Sequence, residues 1–186
     1  MSICRSDNIG RSIEPFSDLE VGSDVISQLI SQGSKATASR NEAWSFAVIS
    51  DKHEIKRLSD ELKKYLLNNL EQYPYFKQYG NSICNENYNI FFNAPCLLFI
   101  YGDANPRCNV YNCTLAAGNI MQDAIDYDLR TCWIGFTEHV CDTEEFKSRH
   151  KIPKPYKLVC AMSVGYPKGE MSPPSCLPVK VLLNET

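Results

Sequence analysis

LAAGNIMQDAIDYDLRTCWIGF, Leu115 to Phe136, holds the two patterns from which the fold is read. Ala116, Ile120, Ala124 and Tyr127 recur at helical spacing, which predicts a helix over Asn109 to Tyr127 with those residues inward. From Leu129 to Phe136 the sequence becomes a short apolar run of strand length. A helix leading into a buried strand is the mark of a sheet covered by helices.

The same alternation extends in both directions. Upstream, Pro95 opens CLLFIYG, a continuous apolar run read as another buried strand, and WSFAVIS, Trp44 to Ser50, is read the same way. Between them Ile55, Leu58, Leu62, Leu66 and Leu70 keep helical spacing among charged residues, with Ser50 or Asp51 as the expected cap. A first helix is expected between Gly22 and Gly33, capped by Ser23, with Val25, Ile26, Leu29 and Ile30 on one face. Glu71 to Asn93 is rich in Tyr, Asn and Gln without a period, as in a loop or short helices that cover something. Downstream, Asp142 and Glu145 have the spacing of a capping box for a short helix that ends before Pro153, and KLVCAMSVG, Lys157 to Gly165, is the fourth strand. Four prolines between Tyr166 and Thr186 predict an extended arm over the surface or over a partner chain. These elements give one domain over residues 1–186, an α/β sandwich of α+β type.

Composition narrows the function. The chain has 186 residues, 44% of them hydrophobic and 22% charged, with a formal net charge of −3. That is ordinary for a globular enzyme and offers no basic field for a nucleic-acid backbone, so no nucleic-acid partner is expected. Met1 to Ser12 lacks the apolar core of a signal peptide, and the longest apolar stretch is broken by Asn93 and Pro95. No membrane association and a cytoplasmic location are therefore expected. Nine cysteines, an odd number, point to free thiols in a reducing compartment. No C-x-x-C pair is present, and Cys108, Cys113, Cys132 and Cys141 lack the paired spacing of zinc or iron–sulfur ligands, so no metal is expected. Cys96, Cys132 and Cys160 lie within apolar segments and read as small buried hydrophobes.

In order along the chain, GRSIEPF (Gly10 to Phe16), TASRNEAWSF (Thr37 to Phe46), NAPCLLFIYGD (Asn93 to Asp103), the stretch Leu115 to Phe136, and IPKPYKLVCAMSVGYP (Ile152 to Pro167) resemble the nitroreductase family. The most specific part is TCWIG after an alanine-rich helix, followed by IP, Tyr156 and GYP. The resemblance implies a mixed central sheet flanked by helices and two interlocked subunits, a homodimer with one FMN at each of two interface sites.

It also implies where FMN is held. Arg11 and Ser12 match the segment that binds the phosphate, for which a guanidinium fork and a hydroxyl are suitable donors. Thr37, Ser39 and Arg40 match the segment that lies against the isoalloxazine and ribityl chain, and the amides of Ile134 and Gly135 match the turn that faces flavin N5. Gly10 and Glu14 depart from the family pattern, removing a phosphate charge and the cation near the pyrimidine edge, and Arg40, Glu42 and Cys176 depart from it as well. Arg40 is the candidate substitute for that cation. Asp128 stands where a glycine commonly ends the preceding helix, and aspartate can enter the left-handed region. Trp44 and Trp133 are read as core aromatics, and His53, His139 and His150, dispersed on polar segments, receive no catalytic role.

The function implied is an FMN-dependent oxidoreductase that passes reducing equivalents from NAD(P)H to a nitroaromatic, a quinone or another small oxidised acceptor. Such chemistry needs no side-chain nucleophile, because the cofactor carries the hydride. Two other classes stand beside it. One is a dimer of the same fold that has lost flavin and serves as a binding or regulatory module, and the other is a cysteine-based metal or redox sensor.

Overall fold

The structure is a computed structural model that describes residues 16–35, 44–103, 109–135 and 137–169. Its frame is a sheet of four strands, β1 (Trp44–Ile49), β2 (Cys96–Asp103), β3 (Arg130–Trp133) and β4 (Tyr156–Gly165), in the order β1-β2-β4-β3. All three pairings among these strands are antiparallel, so the mixed character expected of the sheet is not seen among the described residues. The helices are α1 (Ser23–Gly33), α2 (Lys52–Asn68), α3 (Gly80–Ile83), α4 (Asn109–Asp123), α5 (Glu138–Cys141) and α6 (Glu144–Arg149). The chain is thus of the α+β class.

Side-chain alternation in the strands divides the interior into two cores. On one face Ala47, Ile49, Leu97, Phe99, Tyr101 and Ala161 meet Leu58, Leu62 and Leu66 of α2 and Phe146 of α6. On the other face Cys96, Leu98, Ile100, Cys160, Met162 and Val164 meet Ile26 and Leu29 of α1 and Ala116 and Ile120 of α4. Small residues bring α1 close to α4: a Cβ on Gly33 would stand 2.6 Å from the Ile120 side chain and 3.1 Å from the Ala116 carbonyl. The pairing of β2 with β4 shifts register between Ile100 and Tyr101, leaving Val159 as a bulge. Val159 and Cys160, though consecutive, both pack toward α1 and α4.

Several local expectations are met and others corrected. Asp51 caps α2, its carboxylate accepting from the Glu54 amide at 2.7 Å. Asp128 has φ 58° and ψ 13°, the left-handed conformation expected where the helical segment turns into β3. Ser23 is instead the first residue of α1, whose cap position is held by Gly22 without a side-chain bond. Thr143, not Asp142, caps α6 by accepting from the Phe146 amide. Strand β1 is an edge strand and mostly half-buried rather than buried, and Trp44 and Trp133 are also only half-buried, against the α1/α4 core. Of the C-terminal arm, the described part ends at Gly169, and Pro167 bridges to Phe16.

Charges on α2 and α6 tie that layer together. The Arg57 guanidinium bonds Glu54 at 2.7 and 2.8 Å and holds its carboxyl below the usual 4.5. Burial holds His150 below its ordinary 6.5, outweighing the Glu54 carboxylate 3.3 Å away. Both folded-state values lie below the unfolded ones, so each contribution is full above the unfolded value and is lost as pH falls through the folded one. Thermal stability is therefore expected to decline from about pH 6.5 downward. His150→Gln should remove the upper part of that decline, a difference of under about 1 kcal/mol read from melting curves across pH, because these groups are partly solvated.

Candidate active site at the Gly135 turn

The turn after β3 is built almost wholly from backbone. The Ile134 amide donates to the Ala161 carbonyl at 2.9 Å, extending the ladder one residue beyond Trp133. The Thr137 hydroxyl donates to the Ile134 carbonyl at 3.3 Å, and the amides of Val140 and Cys141 donate to the Thr137 carbonyl, which starts α5. The far end of α5 is pinned from the sheet, where the buried Tyr101 hydroxyl donates to the Cys141 carbonyl at 2.7 Å. Burial pushes that phenol far above its usual range, so it acts only as a neutral donor.

Asp142 then ties α5 and α6 to the bulged strand. Its Oδ1 accepts from Lys147 at 2.6 Å and from the Leu158 amide at 3.2 Å, while Oδ2 lies 3.5 Å from the Lys157 ammonium. Lys147 is 4% exposed and Asp142 20%, a nearly buried pair.

Between these anchors lies a cavity of about 240 Å³ walled by Trp133, Ile134, Gly135, Glu138, Val159 and Ala161, with Thr137 and Leu158 completing it. Gly135 is exposed there, and a Cβ added to it would meet nothing within 4 Å. The Gly135 amide makes no hydrogen bond with the described residues. A flat heteroaromatic ring with polar edges suits such a place, whose wall mixes Trp133, Ile134 and Val159 with polar groups, the Gly135 N–H among them. Glu138 is the one ionisable side chain on the wall among the described residues.

Of the residues that the sequence proposes for FMN, Arg11, Ser12, Thr37, Ser39 and Arg40 lie outside the described residues, as do Gly10, Glu14, Glu42 and Cys176. Ile134 and Gly135 are both on the cavity wall, but the Ile134 amide is engaged with Ala161, which leaves the Gly135 amide as the available donor. Glu138 was not singled out from sequence. Its signal was its place three residues past the best-matched turn, in TCWIGFTEH. His139, given no role from sequence, lies between Tyr65 and Tyr73, with both ring centroids 4.9 Å away.

Four of the described cysteines are too deeply buried for thiolate chemistry. Burial raises Cys96 and Cys113 to about 11 and Cys141 and Cys160 higher still, so all four are neutral thiols at physiological pH. Among the described residues no group of three or more potential ligands could hold a metal ion, and no helix is long and apolar enough to cross a membrane.

The sequence profile of the nitroreductase family matches residues 11–166. The chain belongs to the nitroreductase family. No curated protein matches it. Among solved structures, a nitroreductase from Bacteroides fragilis with bound FMN superimposes with a TM-score of 0.80 at 17% identity, covering 94% of each chain. A nitroreductase from Desulfitobacterium hafniense, also with bound FMN, gives 0.78 at 19% identity over 95% of each chain. An oxidised iodotyrosine deiodinase bound to FMN and 3-iodo-L-tyrosine gives 0.73 at 17% identity, again over 95% of each. These likenesses establish that the chain has the nitroreductase fold.

Proposed function

We propose that this nitroreductase-family chain binds FMN and passes reducing equivalents from NAD(P)H to a small oxidised acceptor such as a nitroaromatic or a quinone. Family membership supports a flavin oxidoreductase, and the single observation that carries the reading is the Gly135 turn, where an amide without a partner among the described residues lies on the wall of a cavity of mixed polarity. FMN supplies the hydride-carrying chemistry when bound. The chain supplies a donor at the flavin edge from Gly135, and Arg11 and Ser12 for the phosphate. Thr37, Ser39 and Arg40 border the ring and its ribityl chain, with Arg40 replacing the cation displaced at Glu14.

The working unit in this reading is a homodimer. Val110, Tyr111 and Leu115 on α4 are large apolar residues exposed by 54%, 66% and 47%, which supports burial against a second copy. The free thiols fit a reducing cytoplasm.

The test is uptake of FMN by the purified protein, followed by its absorption bands and the quenching of its fluorescence. Wild type is expected to bind, and Gly135→Pro, which lacks the N–H, to bind at least about tenfold more weakly, equivalent to roughly 1.4 kcal/mol. A colourless wild-type protein that takes up no FMN would overturn the proposal in favour of a flavin-free binding module, the reading motivated by Gly10, Glu14, Arg40 and Cys176.

A further inference from the structure

A quinone that accepts a hydride must also gain one proton to leave as a hydroquinone, and a nitro group that accepts one hydride and one proton becomes a nitroso group and water. Each two-electron turnover therefore consumes a proton at the acceptor. Resting on the flavin reading above, we propose that Glu138 and His139 form the proton entry to the Gly135 cavity. Glu138 gives its carboxyl proton to the oxygen that gains negative charge on the acceptor, and takes a replacement from the imidazolium of His139, which is refilled from water.

Three observations carry this. Glu138 is the only ionisable side chain lining the Gly135 cavity among the described residues, and it is half exposed. Its Oε1 lies 3.7 Å from His139 Nε2, a gap that one water or a small side-chain rotation closes to proton-transfer distance. His139 lines a second cavity, of about 290 Å³, with Tyr65, Asn68, Asn69 and Thr143. Consecutive residues on a helix point about 100° apart, so the pair joins the two cavities across one turn of α5.

The imidazole is held in place rather than free to swing. Tyr65 stacks on it at an interplanar angle of 15° and Tyr73 lies against it at 41°, while the two tyrosines bond one another through their hydroxyls. The other charges facing the second cavity are Glu61 and Lys64 from α2 and Glu145 from α6. Opposite signs are thus mixed around His139, whose ring can carry a proton on either nitrogen.

The experiment compares wild type with Glu138→Gln and His139→Gln after FMN loading and photoreduction. Reoxidation by benzoquinone, which needs a proton, is set against reoxidation by ferricyanide, which takes an electron and no proton. Each variant is saturated with FMN before reduction, and its ferricyanide rate is the reference against which its benzoquinone rate is read. Benzoquinone should react at least about tenfold more slowly, corresponding to roughly 1.4 kcal/mol in the barrier. In the protein without flavin, Glu138→Gln should move the imidazole ¹⁵N signals of His139, because it removes the carboxylate charge 3.7 Å from Nε2. Equal losses with both oxidants, no loss with benzoquinone, or an imidazole indifferent to Glu138 each overturn the proton entry and leave the flavin reading standing. Failure of wild type to take up FMN overturns both.

Discussion

Asp142→Ala is expected to destabilise the protein by about 3–5 kcal/mol, a large part of the 5–15 kcal/mol that holds a typical domain folded. The reason is the group left behind. Lys147 is 4% exposed and its ammonium lies 2.6 Å from the Asp142 carboxylate, so removing the acid leaves a buried positive charge without its counterion. The Leu158 amide beside the bulge loses its acceptor at the same time. A second substitution separates charge from packing, because Asp142→Ala with Lys147→Met removes the orphaned ammonium while keeping much of the side-chain volume. Urea unfolding should show the double variant recovering most of the loss. A single variant within about 1 kcal/mol of wild type would mean that neither Lys147 nor Lys157, 3.5 Å from the other carboxylate oxygen, depends on the acid.

Phe99→Ala is expected to cost a similar amount, toward the upper end of the 3–5 kcal/mol range for emptying a buried phenylalanine site. Phe99 is fully buried at the centre of β2, and its ring packs against Phe146 with centroids 5.8 Å apart. Its cross-strand neighbours are Ala47 on one side and Ala161 on the other. Neither alanine has a side chain long enough to lean into the vacated space, so the cavity would persist. Phe99→Leu, which keeps most of the volume, should lose only about 1–1.5 kcal/mol, and the gap between the two midpoints in denaturant measures the cavity term.

Much of the frame was legible because burial on both faces of the sheet leaves continuous apolar runs. CLLFIYG and KLVCAMSVG read as strands for that reason and are strands. WSFAVI has the same appearance, yet among the described residues β1 pairs only with β2, and its position at an edge there is a fact of tertiary arrangement that the run itself does not contain. Asp142 was misassigned as a cap because short-range spacing cannot register Lys147 and the Leu158 amide, which draw its carboxylate away. Asp128 was readable, since the left-handed conformation is a local demand.

At the site, Gly135 could be found because a backbone contact depends on conformation more than on side-chain identity. Whether the neighbouring Ile134 amide is free depends on strand register, and its bond to Ala161 is invisible in sequence. Glu138 and His139 were hidden for a different reason: each is unremarkable alone, and only the helix that splays them into two cavities makes them a pair.

Among the described residues, none of the three strand pairings is a hairpin. The chain between β1 and β2 runs through residues 50–95, that between β2 and β4 through residues 104–155, and even β3 and β4 are separated by α5 and α6. Each ladder must therefore close a long loop before its first hydrogen bond repays the lost chain entropy. Topologies of this sort fold slowly, on the order of milliseconds to seconds. During synthesis β2 leaves the ribosome long before β4, the partner on its second edge, exists. The fully apolar segment from Cys96 to Gly102 then spends that interval with one edge open, and the covering helix α2, made just before it, is the element at hand to keep it from pairing with another chain.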